Sequence, residues 1–286
     1  MCPPSRLQAH GARVKTSRCS CPQRLRQICI QKVSFKPTEN LELGFSKVTI
    51  FAGGNTPLTW HTFYNANFSA GGGSGSVNAN APGLDPGDRR GGFDFSYRLP
   101  GLREWLTLYS DSLVDDDPSP LAAPRRAAFN PGIFLSHVPR LPKLDVRVEA
   151  VNTDTASGRS LGGKFIYWNG VYRDSHTSAG NIMGSWVGRE GHGLQVSSTY
   201  WLSPRNTIQV GYRKAWIDND FVVGGGALDD FSVRPEFVLG PDLSIKGFLQ
   251  IEKWSLPLLA PHAQSNVTAS VQVTYRPSWR VSKRDH

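Results

Sequence analysis

The chain of 286 residues has no apolar run near the ~20 residues that a helix needs to cross a bilayer. Methionine is scarce, at two, and there is no long tract of Ala, Leu, Glu and Lys, so a helical bundle is not expected. Cysteine is confined to Cys2, Cys19, Cys21 and Cys29, which leaves the rest of the chain without a disulfide framework, as suits an oxidising compartment. Acidic residues are missing from residues 1–29, where Arg6, Arg13, Lys15, Arg18, Arg24 and Arg26 lie. The formal charge of +9 therefore falls to about +3 in the body, and nucleic acid is not an expected partner. The same leader lacks the apolar core and the small-residue cleavage site of a signal peptide, and Cys19-Ser20-Cys21 does not have zinc-knuckle spacing. Residues 1–29 are expected to be a non-native or disordered basic leader.

Catalytic constellations are also lacking. His61, His137, His176, His192 and His262 are scattered, with no glutamate at helical spacing, and Gly72-Gly73-Ser74-Gly75 does not complete a nucleophile elbow. Asp115-Asp116-Asp117 lacks the alternating ligands and glycine of a calcium loop. Neither a cofactor nor a bound metal is expected.

What is abundant is alternation. Leu144, Val146, Val148 and Ala150 interleave with Asp145, Arg147 and Glu149, and Val267, Ala269, Val271, Val273 and Tyr275 interleave with polar residues in the same way. A period of two is the strand period. The content of Gly (29), Trp (8), Tyr (8) and Phe (14) fits an all-β chain with aromatic girdles. Reading along the chain predicts thirteen strands, at 30–36, 41–50, 92–99, 104–111, 132–138, 144–151, 164–173, 182–190, 193–202, 207–216, 229–239, 243–253 and 266–276, and no helix of any length. Long connections at 51–91, 112–131, 152–163, 217–228 and 254–265 alternate with tight turns such as Pro100-Gly101 and Gly240-Pro241-Asp242. Long connections on one side and short turns on the other mark an outer-membrane barrel, and polar faces carrying both signs of charge suit a wet lumen. A soluble sandwich or propeller is the competing architecture. Single-chain bacterial barrels have even strand counts, so an odd count predicts missing early strands.

Four blocks of sequence resemble the Wzi family of capsule assembly proteins. They are Gly87-Asp88-Arg89-Arg90-Gly91-Gly92-Phe93-Asp94-Phe95; Leu106-Thr107-Leu108-Tyr109-Ser110-Asp111 with Asp115-Asp116-Asp117-Pro118; Pro124-Arg125-Arg126-Ala127-Ala128-Phe129-Asn130-Pro131-Gly132; and Phe165-Ile166-Tyr167-Trp168-Asn169-Gly170 with Tyr172-Arg173-Asp174. The likeness runs from about residue 32 to 276. It implies an antiparallel transmembrane β-barrel of eighteen strands in the outer membrane, with helices closing its periplasmic mouth. Residues 30–276 would be the C-terminal portion of that barrel, N-terminally truncated, and 277–286 a short basic tail. The implied function is non-enzymatic retention of exported capsular polysaccharide at the cell surface. A porin or sugar channel is the alternative, and a lumen-active enzyme is the third reading.

For polysaccharide binding the sequence offers Arg89, Arg90, Arg125, Arg126 and Arg173, whose guanidinium forks suit acidic sugars. Trp168 adds an aromatic platform, as do Trp60 and Tyr172. The competing roles are ion pairs with Asp88, Asp94 or the aspartate triplet for the arginines, and an interfacial belt for the aromatics.

Overall fold

The computed structural model describes residues 27–52, 57–68, 87–115, 127–154, 166–168, 176–178 and 181–277. The elements in chain order are β1 (Gln27–Phe35), β2 (Leu41–Phe51), α1 (Trp60–Phe68), β3 (Asp88–Arg98), β4 (Leu106–Asp115), β5 (Ala127–Leu135), β6 (Leu144–Asn152), β7 (Thr177–Ser178), β8 (Asn181–Ile182), β9 (Gly191–Ser203), β10 (Asn206–Ile217), β11 (Gly226–Leu239), β12 (Leu243–Ser255) and β13 (Gln264–Tyr275). All except α1, β7 and β8 form one eleven-stranded sheet in which each strand pairs antiparallel with its neighbours in sequence order. Strands β1 and β13 are its two edges. The strand ends that flank 36–40, 99–105, 136–143, 204–205 and 240–242 lie at one end of the sheet, and those that flank 52–87, 116–126, 153–190, 218–225 and 256–263 at the other.

The register turns the alternation into two rings of opposite chemistry. Leu41, Tyr97, Leu108, Ile133, Val148, Val196, Tyr212, Phe231, Ile251 and Val267 are successive cross-strand partners from β2 to β13. One residue along each strand, Glu42, Ser96, Tyr109, Gly132, Glu149, Gln195, Arg213, Asp230, Glu252 and Asn266 are partners in the same order. Because successive side chains point to opposite faces, the first ring lies on one face and the second on the other. Apolar members of the first ring stand in the open, with Val267 at 70% and Ile251 at 51% exposure. A continuous apolar face of that extent belongs in lipid. The polar face encloses a cavity bordered by strands β1 to β6, so the sheet curves with its charged side inward.

Two differences from the sequence expectation concern the long-connection end. No strand stands between β6 and β9 in the sheet: of the expected strand 164–173 the described residues, 166–168, form a turn, and 182–190 holds the end of the small β7–β8 hairpin followed by turns. The apolar run at Ile166 and Tyr167 is buried by packing on Ala128 and Leu113, on the inner wall, rather than by pairing in the sheet. Removing two strands leaves the direction of β1 relative to β13 unchanged. The second difference is α1, which stands in a stretch expected to be loop. Thr59 caps it, its Oγ1 accepting from the Thr62 amide at 3.1 Å while the Thr62 hydroxyl oxygen accepts from the Thr59 amide at 2.9 Å. Ala66 and Phe63 of α1 then pack on Phe51, Ala52 and Cys29, against the outward side of β1 and β2.

Candidate functional site in the lumen

A cavity of about 1050 Å³ lies on the inner face. Its wall is built by cross-strand neighbours that the pleat aims inward. Tyr109 on β4 faces Gly132 on β5, which faces Glu149 on β6. A Cβ at residue 132 would overlap the Tyr109 ring, so glycine lets the ring lie across β5. From there the Tyr109 hydroxyl donates to Glu149 Oε1 at 2.6 Å. The Arg147 guanidinium sits 4.9 Å from the Phe134 ring centre and 5.9 Å from that of Tyr109, the reach of a cation–π contact. Around this floor, Asn130 Nδ2 donates to Asp111 Oδ1 at 3.0 Å, and Lys32 Nζ lies 2.9 Å from Asp94 Oδ1. Rings flanked by planar donors and acceptors of both signs suit a polyhydroxylated ligand.

The roof comes from the described residues between β6 and β9, of which Thr153, Tyr167, His176 and 183–186 line the cavity. Tyr167 is buried with φ at 60°, a left-handed conformation that costs a bulky residue of order 1–3 kcal/mol and persists only where packing enforces it. Its ring lies against Gly184, and its hydroxyl oxygen accepts from the Ser185 amide at 3.0 Å. Farther along, Trp186 and Val187 pack on Val151, Ala215 and Leu228 of the inner wall. Arg213, ion-paired with Asp230, places its guanidinium 5.5 Å from the Trp186 ring centre.

Arg90 ties this roof to the sheet. Fully buried, it donates from Nη2 to Asp88 Oδ2 at 3.0 Å and to the carbonyl of Trp168 at 3.3 Å, with its guanidinium carbon 6.0 Å from the Tyr167 ring centre. His176 Nε2 lies 3.9 Å from the same Asp88 oxygen. Burial first, and the Arg90 charge second, push the His176 imidazole down to about 3, so it is neutral at physiological pH and the 3.9 Å contact is no ion pair there. Burial likewise raises the Tyr167 phenol.

The residues singled out from sequence separate. Arg89 and Arg90 were expected beside an external loop, but β3 begins at Asp88, so both are strand residues and both are buried. Adjacent strand residues face opposite ways: Arg90 partners inward Val48, and Arg89 partners outward Thr49. They cannot grip one anion together. Trp168 contributes its backbone carbonyl to Arg90 and its ring to Arg189, 5.9 Å away. Trp168 and Tyr167 lie in the in-folded connection, not in a membrane-facing strand, which removes the belt reading for this pair. Trp60 stacks on Phe63 within α1. Arg125, Arg126, Tyr172 and Arg173 lie outside the described residues. Tyr109, Phe134, Arg147 and Glu149 were not selected from sequence, although the alternation of Arg147 and Glu149 with valines already placed those two on the polar face.

A family model described as capsule assembly protein Wzi matches residues 3–269. The chain belongs to the Wzi family. No curated protein matches it by sequence. Among solved structures, it is similar to Wzi of Escherichia coli, an outer-membrane carbohydrate-binding β-barrel involved in group 1 capsule assembly, with a TM-score of 0.66 at 18% identity. That match covers 87% of this chain and 51% of the other, so the chain spans about half the length of that relative. The NanC porin aligns over 88% of this chain and 94% of its own at 11% identity, with a TM-score of only 0.31. An outer membrane channel from Pseudomonas putida F1 aligns over 87% of this chain and 83% of its own at 13% identity, with a TM-score of 0.32. As an outer-membrane member of the Wzi family, the chain turns its apolar ring to lipid and its charged ring to the lumen.

Proposed function

We propose that this protein retains exported capsular polysaccharide at the cell surface by binding it in the outer half of the lumen, without chemical turnover. The observation that carries the reading is the in-folding of the described residues between β6 and β9, 166–168, 176–178 and 181–190. It lays Tyr167, His176 and Trp186 over a cavity whose floor holds Tyr109, Phe134, Arg147, Asp111 and Asn130. A conduit for small solutes needs a clear bore, whereas a polymer grip needs walls close enough to contact a sugar chain from several sides. The balance of charge supports weak, multivalent contacts in which Arg147 and Lys32 meet acidic sugars and Asp111 and Asn130 meet hydroxyls. Aromatic rings supply the part of the binding that salt does not screen.

The test is a deletion strain complemented with the wild type or with Arg147→Ala combined with Tyr109→Ala. Loss of the protein is expected to release capsule into the medium while total synthesis stays constant, and the double variant should restore retention only in part. Unchanged cell-bound capsule in the deletion strain, together with large stable single-channel currents from the purified protein, would reject the reading in favour of a channel.

A further inference from the structure

One ring further toward the long connections, the inner wall changes character. Val151, Gly193, Ala215, Leu228 and Trp254 are successive cross-strand partners on the inward face from β6 to β12. An apolar band inside a lumen is against the usual polarity of such barrels. Toward β6 it is covered, because Trp186 and Val187 pack on Val151, Ala215 and Leu228. Toward β12 it opens on a second cavity of about 370 Å³, lined by Trp186, Trp254, Leu228, Leu256, Leu259 and Glu252 among others. Trp186 borders both this cavity and the larger one, so the two spaces share a wall.

Charge is what separates them. The larger space carries charges of both signs, Lys32 and Arg147 beside Asp94 and Asp111, whereas among the described residues Glu252 is the one ionisable side chain lining the smaller. Arg213, which stacks on Trp186, is held by Asp230. Glu252 Oε1 accepts from Asn266 Nδ2 at 3.2 Å, which makes a carboxylate–amide pair at the pocket wall. An acyl chain in this space would strip water from that carboxylate without returning a hydrogen bond. An acidic sugar would meet a like charge. A sugar ring without charge meets neither cost: its C–H face rests on indole and leucine while its hydroxyls donate to Glu252. The volume, near the lower end of ordinary ligand sites, suits one or two such rings.

We infer that the cavity between Trp186, Trp254 and Glu252 is a subsite for an uncharged sugar residue of the polymer, adjacent to the charged cavity that takes acidic residues. The inference rests on the reading of the lumen as a polysaccharide site. It makes the lumen a reader of sequence along the polymer, with a charged position followed by an apolar one.

The test uses the full-length protein purified from outer membranes in detergent, with binding followed by tryptophan fluorescence and calorimetry. The probes are a rhamnose trisaccharide, uncharged and with methyl-bearing faces, and an oligoglucuronate of equal length. Trp254→Ala should weaken the rhamnose probe at least tenfold and the glucuronate probe less than twofold. Glu252→Gln, which keeps shape and removes charge, should bring the two probes several-fold closer in affinity, and it carries the test should Trp254→Ala fail to fold. Equal loss of both probes in Trp254→Ala, no loss of either, or unchanged discrimination in Glu252→Gln would overturn the subsite while leaving polysaccharide binding intact. Wild type that binds neither probe, in a strain whose capsule retention does not depend on the protein, would overturn the parent reading as well.

Discussion

Replacing Arg90 with alanine should release the roof of the lumen while leaving the barrel in place. The Asp88 carboxylate beneath it is 1% exposed, and Arg90 reaches both that carboxylate and the Trp168 carbonyl. Removing one member of a buried ion pair costs about 3–5 kcal/mol, because the other charge stays out of water without its counter-charge. The strands are held by continuous ladders on both sides of β3, so that cost falls on what Arg90 joins to them, the packing of residues 166–168, 176–178 and 181–190. At ~1.4 kcal/mol per decade, its opening equilibrium should shift by roughly two to four orders of magnitude. Hydrogen exchange of the amides of Met183, Ser185 and Gly188, which are bonded to the His176 carbonyl, the Tyr167 hydroxyl and the Ser185 carbonyl, reads this directly. Those amides should exchange faster by the stated factor in detergent, while amides of β10 to β12 keep their protection. Asp88→Asn combined with Arg90→Met removes both charges and should recover most of the protection. Unchanged exchange at Met183 and Ser185 in Arg90→Ala would refute the anchoring argument, as would an equal loss across β10 to β12.

Three further outcomes are expected. Gly132→Ala should force the Tyr109 ring off β5 and break its bond to Glu149, which costs about 1.5–3 kcal/mol for a hydrogen bond to a charged group and should weaken polysaccharide binding; a binding titration beside a thermal melt checks both. Acidification from pH 7 to 4 should loosen the packing of residues 166–168, 176–178 and 181–190, because His176 is held neutral down to about 3 when folded but binds a proton near its ordinary 6.5 when exposed, so stability falls with pH through that window. His176→Gln should flatten that response in exchange measurements, whereas Asp154, raised to about 6 mainly by its hydrogen bond with Asp218, works in the opposite sense, so that Asp154→Asn should steepen it. Single cysteines at Leu258 and Arg205 occupy connections at opposite ends of the sheet, so an impermeant maleimide on intact cells should label the first and spare the second.

The barrel was legible because its signal is local. Alternation in 144–151 and 266–276 depends only on each residue facing lipid or water, and the structure places those runs in β6 and β13. The described residues between β6 and β9 were not legible in the same way. The sequence Phe165-Ile166-Tyr167-Trp168 is apolar enough for a strand, and what buries the described part of it is Ala128 and Leu113, residues 38 and more positions away, whose approach depends on the curvature of the whole sheet. Helix α1 was hidden by a weak apolar periodicity, although the Thr59 and Thr62 pair carried its cap.

The candidate site divides along the same line. That Arg147 and Glu149 face water follows from their own strand, but that Glu149 meets Tyr109, forty residues earlier, follows from register, and register is set by connections whose lengths carry little pattern. Arg89 and Arg90 show the converse error. Adjacent in sequence, they read as one basic patch as long as the segment is taken for loop, and the patch disappears once β3 is extended by four residues to Asp88. In a strand, two neighbouring charges are on opposite sides of a membrane wall, so a binding surface is assembled from residues at matching register on different strands and not from a run along one of them. The same logic selects Trp254 and Glu252 over any exposed arginine pair: they share a face, they border one cavity with Trp186, and nothing in their immediate sequence announces it.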